Sequence, residues 1–109
     1  MLETIFGSKN RERVLQFILA NGEGYAKEIS DFYGSSLDPI QKQLEKMELG
    51  GVLVSKKVGR TRLFMFNPRY AFLNELKALL EKARSYYPAE EIERLIMNRK
   101  RPRRAGKPL

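Results

Sequence analysis

The chain has no cysteine and no histidine among its 109 residues. Disulfides, zinc fingers and soft-metal sensing are thereby excluded, because carboxylates alone make poor sites for such metals. The same absences remove the Cys nucleophile and the His base from any catalytic scheme. No run of roughly 18 apolar residues occurs, so no segment reads as a membrane span. Met1–Phe6 has neither a positive n-region nor a long apolar core and does not read as a signal peptide. A cytoplasmic protein with no membrane partner is expected. No Gly-rich phosphate loop, nucleophile elbow or paired-carboxylate spacing is present. The expectation is accordingly of a protein that is not an enzyme and holds no cofactor and no metal.

Hydrophobic residues supply 42% of the chain, which suits one globular unit with one core. The net charge of +8 points to a polyanionic partner, and its distribution says more than its size. Arg99, Lys100, Arg101, Arg103, Arg104 and Lys107 contribute six of those charges within residues 99–109, with no acid among them. Residues 1–98 are left with +2. Within that nearly balanced body Lys56, Lys57, Arg60 and Arg62 gather four cations in seven residues.

Hydrophobic spacing divides the chain. Leu2, Ile5 and Phe6 form a short helical turn ended by Gly7, and Ser8 caps a helix over about 8–21 with Val14, Leu15, Ile18 and Leu19 on one face and Phe17 beside it. Asn21-Gly22-Glu23-Gly24 stops that helix. Residues 25–33 make a short second helix with Ala26, Ile29 and Phe32 or Tyr33 inward. Ser36 caps a third over about 37–49, in which Pro39 is tolerated because it falls in the first turn. Its apolar face is Ile40, Leu44 and Met47. Val52–Val58 and Thr61–Phe66 then flank Gly59-Arg60, and Gly in the first central position fits a two-residue type II′ hairpin turn. That register sets Val58 against Thr61, Lys57 against Arg62, Lys56 against Leu63, Ser55 against Phe64 and Val54 against Met65. Lys57 facing Arg62 is an unfavourable like-charge pair that an anion would relieve. A long helix over 69–87 follows, with Phe72, Leu76, Leu79, Leu80 and Ala83 in an apolar stripe. After Pro88 a last helix reaches about Asn98 with Ile92, Leu95 and Ile96 inward. The tail, with two prolines, one glycine and six cations, reads as disordered.

Three short helices, the third running through Leu44-x-x-Met47-x-x-Gly50-Gly51-Val52-Leu53-Val54 into a basic Gly-Arg hairpin and Asn67-Pro68, resemble the winged helix-turn-helix domains of ArsR-like transcriptional regulators. The resemblance covers about Phe6 to Leu80. It implies an α+β fold, mainly α with a small β-hairpin, in which a winged helix-turn-helix carries additional C-terminal helices. It also implies a regulator that binds operator DNA, usually as a dimer. Metal-sensing members of the family use Cys and His ligands, which this chain lacks, so metal sensing is not implied. The expected division is a DNA-binding unit over 1–68, C-terminal helices over 69–98 and the basic tail over 99–109.

A recognition helix enters the major groove with its N-terminal part, and the wing lies on the backbone or in the minor groove. The exposed positions of the third helix are Leu37, Asp38, Gln41, Lys42 and Lys46. Gln41 suits the N6/N7 edge of adenine, Lys42 suits O6/N7 of guanine or a phosphate, and Leu37 suits a thymine methyl. Asp38 either accepts from cytosine N4 or only favours the helix dipole. Ser35 and Ser36 are phosphate-type donors. Gln41, Lys42 and Lys46 would also pass for an ordinary solvated face. On the wing, Lys56, Lys57, Arg60, Thr61 and Arg62 read as phosphate or minor-groove contacts, since an edge hairpin needs only one or two charges to block aggregation. Four phosphate contacts would give a log–log salt slope of about −3 to −4 per subunit. The tail is either a solubilising appendage or an arm that follows the minor groove, or it binds RNA.

Phe72, Leu76, Leu79, Leu80 and Ala83 are expected to form a symmetric homodimer surface, because so long a stripe exceeds what a small core covers. Tyr25 and Tyr33 read as core rather than as a ligand pocket. The function expected is a sequence-specific regulator of transcription bound to double-stranded DNA. The alternative is a winged-helix module for protein or RNA contact, such as the partner of a separately encoded toxin or nucleotidyltransferase.

Overall fold

Ser8 opens the helix around which the others assemble. Its Oγ accepts a hydrogen bond from the Arg11 amide at 3.2 Å, as expected of an N-cap. The computed structural model describes residues 1–100, with side chains as far as Asn98. The elements run α1 (Glu3–Phe6), α2 (Lys9–Asn21), β1 (Gly24–Tyr25), α3 (Ala26–Tyr33), α4 (Leu37–Leu49), β2 (Leu53–Val58), β3 (Thr61–Phe66), α5 (Leu73–Arg84) and α6 (Ala89–Lys100). The fold is α+β, with six helices and a three-stranded antiparallel sheet among the described residues.

A helix apolar on one face lies on a core, and one buried on nearly all sides lies inside it. α2 is the second kind: Val14, Phe17 and Ile18 are wholly buried, Leu15 and Ala20 nearly so, and Gln16 is enclosed with them. Ile29 from α3, Ile40 and Leu44 from α4, Leu53 and Phe64 from the sheet, and Leu80 and Ala83 from α5 close the same core. Phe17 meets Phe32 edge to face with ring centres 5.4 Å apart, and Phe32 meets Tyr33 at 4.9 Å. Tyr25 and Tyr33 are therefore packing residues.

The hairpin has the register expected from its turn: Val58 faces Thr61, Lys57 faces Arg62, and the pairing continues to Leu53 and Phe66. Gly59 has φ +62°, and among the described residues no non-glycine residue has positive φ. Arg60 is thus on the negative side, which fits type II′ rather than type I′. The sheet also holds a strand where a helix stop at Gly24 and the first residue of the second helix at Tyr25 are expected. Gly24 and Tyr25 pair with Phe64 and Leu63, so the order is β1-β3-β2. Gly24 is closely packed: a Cβ there would lie 3.0 Å from Phe17 Cε1 and 3.2 Å from Ile29 Cδ1, so both side chains would have to shift.

Two helix boundaries differ from expectation. α5 begins at Leu73, not Arg69. Asn67 is the reason: its Oδ1 accepts from the Arg69 amide at 3.0 Å and its backbone carbonyl from the Tyr70 amide at 3.0 Å, so the chain turns before it can wind. Phe72 becomes the residue ahead of the helix and is 63% exposed. α5 ends at Arg84, three residues early, where Ser85 Oγ donates to the Lys82 carbonyl at 2.6 Å. α6 runs past Asn98 to Lys100. Within it Leu95 is fully buried and Ile92 half-buried, whereas Ile96 is 47% exposed rather than inward.

The argument that the α5 stripe is too long for the chain to cover is corrected by the way α5 and α6 fold back on α2. Leu80 and Ala83 are buried in the chain's own core, Leu76 and Leu79 pack at its margin, and Phe72 stands out. Hydrogen bonds fix this return. Gln16 Nε2 donates to the Leu80 carbonyl at 2.7 Å. Tyr87 Oη donates to Glu12 Oε2, and Asn98 Nδ2 donates to Asn21 Oδ1 at 3.0 Å. Arg94 Nη2 donates to the Phe32 carbonyl at 2.5 Å with its guanidinium 4.3 Å from the Phe32 ring centre, a cation–π placement.

Glu12 is 5% exposed yet remains an acceptor. Burial alone would raise its carboxyl, but hydrogen bonds from Tyr87 Oη, the Leu2 amide at 2.7 Å and the Met1 ammonium outweigh it and hold the group below the ordinary carboxylate value. Burial, together with the Glu12 carboxylate, pushes the Tyr87 phenol far up. Burial and the nearby Glu91 carboxylate do the same to Tyr33.

Candidate nucleic-acid interface

α4 turns part of its apolar set inward and leaves Leu37 and Leu49 exposed at its two ends. Ile40 and Leu44 are fully buried, while Ser36, Leu37, Asp38, Gln41, Lys42 and Lys46 are exposed on the other side. Ser35 is half-buried, with its Oγ covered. Its amide donates to the Ser30 carbonyl at 2.9 Å, which fixes the turn between α3 and α4.

Ser36 holds the N-cap position in an extended conformation, but its side chain makes no capping bond. The expected cap is not made. Counting from Ser36, the third helical residue is Pro39, whose missing amide hydrogen removes one of the two donors such a cap can use, and the serine does not take up the other, the Asp38 amide. The Ser36 hydroxyl is therefore exposed and available. Asp38 and Lys42 form an i,i+4 ion pair at 3.5 Å, with both side chains well exposed. Gln41 and Lys46 make no hydrogen bond or ion pair among the described residues. Gln43, on the flank, accepts from Arg11 Nε at 2.9 Å, and Arg11 Nη1 donates to the Phe6 carbonyl at 2.9 Å. This brace between α1, α2 and α4 carried no signal in the spacing of the sequence.

The wing extends from the end of α4. The Val52 amide donates to the Met47 carbonyl and the Asn67 amide to the Val52 carbonyl, both at 2.9 Å. Asn67 Nδ2 donates to the Gly51 carbonyl at 2.9 Å. These bonds clasp the base of the hairpin. Lys56, Lys57, Arg60, Thr61 and Arg62 are all exposed. Thr61 Oγ1 donates to the Val58 carbonyl at 3.0 Å and braces the turn. Arg62 Nη1 donates to Ser55 Oγ at 3.1 Å, and Ser55 Oγ donates to Glu48 Oε2 at 2.7 Å. Glu48 and Ser55 had not been expected to take part in the site.

The structure thus gathers the candidate residues of α4 on one helix face and those of the wing at one hairpin end. A hydrogen-bonded path from Glu48 to Arg62 joins the two. The tail lies apart from this account. Arg99 and Lys100 end α6, and the candidates Arg101, Arg103, Arg104 and Lys107 lie outside the described residues. Phe72, the exposed member of the α5 set, meets Tyr70 edge to face at 5.8 Å. Among the described residues no group of three or more His, Cys, Asp or Glu side chains could hold a metal ion. None of their helices is long and apolar enough to cross a membrane.

The helix-turn-helix of α3 and α4 and the hairpin after it decide the architecture. The chain has a winged-helix fold. Its structure matches that of an apo-form double mutant of ZitR from Lactococcus lactis, with a TM-score of 0.54 and 16% identity. The match covers 84% of this chain and 78% of that one. At that identity the likeness shows a shared fold and nothing finer. No family model and no curated protein matches the chain.

Proposed function

We propose that this chain is a sequence-specific DNA-binding regulator of transcription. The observation that carries the reading is the outer face of α4, which leaves Ser36, Leu37, Gln41, Lys42 and Lys46 exposed immediately before a hairpin whose end holds four cations and no acid. In the complex α4 lies in the major groove, Gln41 and Lys42 read base edges, and the wing cations lie on phosphates or in the minor groove. Ser36, with its hydroxyl exposed, stands at the phosphate end of the helix, whereas the Ser35 hydroxyl expected there is covered. The basic residues of the tail, Arg99 to Lys107, add contacts along the backbone.

The active species is a homodimer. Phe72, 63% exposed, is its centre, with Leu76 and Leu79 beside it. Two copies set their recognition helices about 34 Å apart on an inverted repeat. The protein works in the cytoplasm without a catalytic role.

Selection of bound sequences from random duplex DNA at defined salt tests the reading. Enrichment of an inverted repeat is the expected outcome. Strong salt-sensitive binding without enrichment would replace it with a nonspecific or RNA-binding role. No binding to either nucleic acid would favour a module for protein contact.

A further inference from the structure

The four wing cations are not equivalent. Lys56, Lys57 and Arg60 make no hydrogen bond or ion pair with the described residues, whereas Arg62 is held. A hydroxyl has one proton and two lone pairs, a carboxylate only accepts and a guanidinium only donates. The single proton of Ser55 therefore goes to Glu48 Oε2 at 2.7 Å, and a lone pair is left for Arg62 Nη1 at 3.1 Å. Glu48 and Ser55 are each half-buried, so the path is partly shielded from water where it leaves α4.

The hairpin has reason to need it. β1 supports β3 only at Leu63 and Phe64. Beyond those residues the ribbon has only its own ladder, and there Lys57 and Arg62 face each other. Like charges directly opposite one another push a ribbon apart. Drawing the Arg62 guanidinium diagonally toward Ser55 takes it away from Lys57.

We infer that Glu48 and Ser55 are positioning residues for the wing, and that Arg62 is a strut tying the wing to α4 while Lys56, Lys57 and Arg60 meet the phosphates. The inference rests on the DNA-binding reading and divides the work among its residues. It reverses a usual sign. An acid beside a DNA surface normally repels phosphate, so its removal strengthens binding. Removal of Glu48 weakens it. Glu45, exposed on the same helix and without a hydrogen bond or ion pair among the described residues, supplies the contrast.

The test titrates the full chain against the duplex enriched by selection, at several salt concentrations, for wild type, E48A, E48Q, S55A, E45A, R62A and K57A. In parallel, 15N relaxation of the Gly59 amide is measured in the DNA-free proteins. E48A and S55A are expected to weaken binding by about fivefold, the worth of one hydrogen bond, and to mobilise Gly59. E48Q keeps an amide oxygen for Ser55 and stays near wild type in both measurements. E45A binds slightly more tightly. R62A lowers affinity with little change in salt slope, whereas K57A reduces the slope by about 1. The inference is overturned if E48A and E48Q both tighten binding as E45A does, or if Gly59 is equally rigid in wild type and S55A. Should the wild type enrich no duplex at all, the DNA-binding reading falls by itself, and the Gly59 relaxation in S55A still decides whether the strut exists.

Discussion

Gln16 donates its side-chain amide to the backbone carbonyl of Leu80 at 2.7 Å, and both residues are fully buried. The bond crosses from the helix at the centre of the winged helix to the helix that follows the wing. One core therefore extends to both sides of Pro68. Leu80→Ala should lower unfolding free energy by about 2–5 kcal/mol, the range for a buried leucine whose surroundings cannot collapse. A chain ended after Pro68 loses Leu80, Ala83 and Leu95 from its cover and should not give a cooperative melt by circular dichroism.

Glu12 makes stability depend on acid. Its folded carboxyl is held below the ordinary carboxylate value, so at intermediate pH the unfolded chain binds the extra proton. The stabilisation is complete above the unfolded value and is lost as pH falls through the folded one. Urea unfolding between about pH 6 and pH 3 should show stability falling as pH drops, and Glu12→Gln should flatten that slope. An equal slope in both proteins would remove Glu12 from the account.

Gly24 leaves no room for a side chain. Gly24→Ala must displace the Phe17 ring, whose Cε1 would stand 3.0 Å from the new methyl group. A loss of roughly 1–3 kcal/mol is expected, as for other overpacked cores. Gly24→Val should be worse, and both are read by thermal denaturation.

The α4 face separates specificity from charge. Gln41→Ala should cost about 1–3 kcal/mol at one base pair and relax the preference there without changing the salt slope. Asp38→Ala breaks an exposed ion pair, so it should alter stability by less than about 1 kcal/mol, and it frees Lys42 from its partner. Deletion of residues 99–109 should weaken binding to every sequence and leave the preferred site unchanged. Loss of preference alone would exclude a backbone role for the tail.

The hairpin was legible because its determinants are local. Gly59 fixes the turn, the turn fixes the register, and alternation carries it to Leu53 and Phe66. The individual helices followed from spacings within single elements, while the α+β class with its winged helix-turn-helix came with the resemblance carried by Leu44 to Pro68. β1 was hidden because its two residues acquire meaning only from Phe64 and Leu63, far along the chain. Ser36 misled because serine before a helix commonly caps it, whereas here Pro39 removes one of the two amides such a cap can use and the cap bond is not made. The start of α5 was misplaced because apolar spacing continues through Asn67–Phe72 while the Asn67 side chain holds those residues in turns. Glu48 and Ser55 belong to different elements, and periodicity along one element does not pair residues across two. The same limit hid the return of α6, fixed by Arg94 on Phe32 and Asn98 on Asn21.

The pairing of β1 with β3 also sets an order of events in time. Gly24 waits for Phe64, and at roughly 5–20 residues per second the ribosome supplies that partner about 2–8 s later. Until then α2 and α3 exist without their strand, and Phe17 has no sheet beside it. The wing, the last part of the unit to be made, is thus also what completes the helices made first. A lesion that delays or weakens the hairpin would be felt as slow or faulty folding of the N-terminal half before any loss at the DNA was measured.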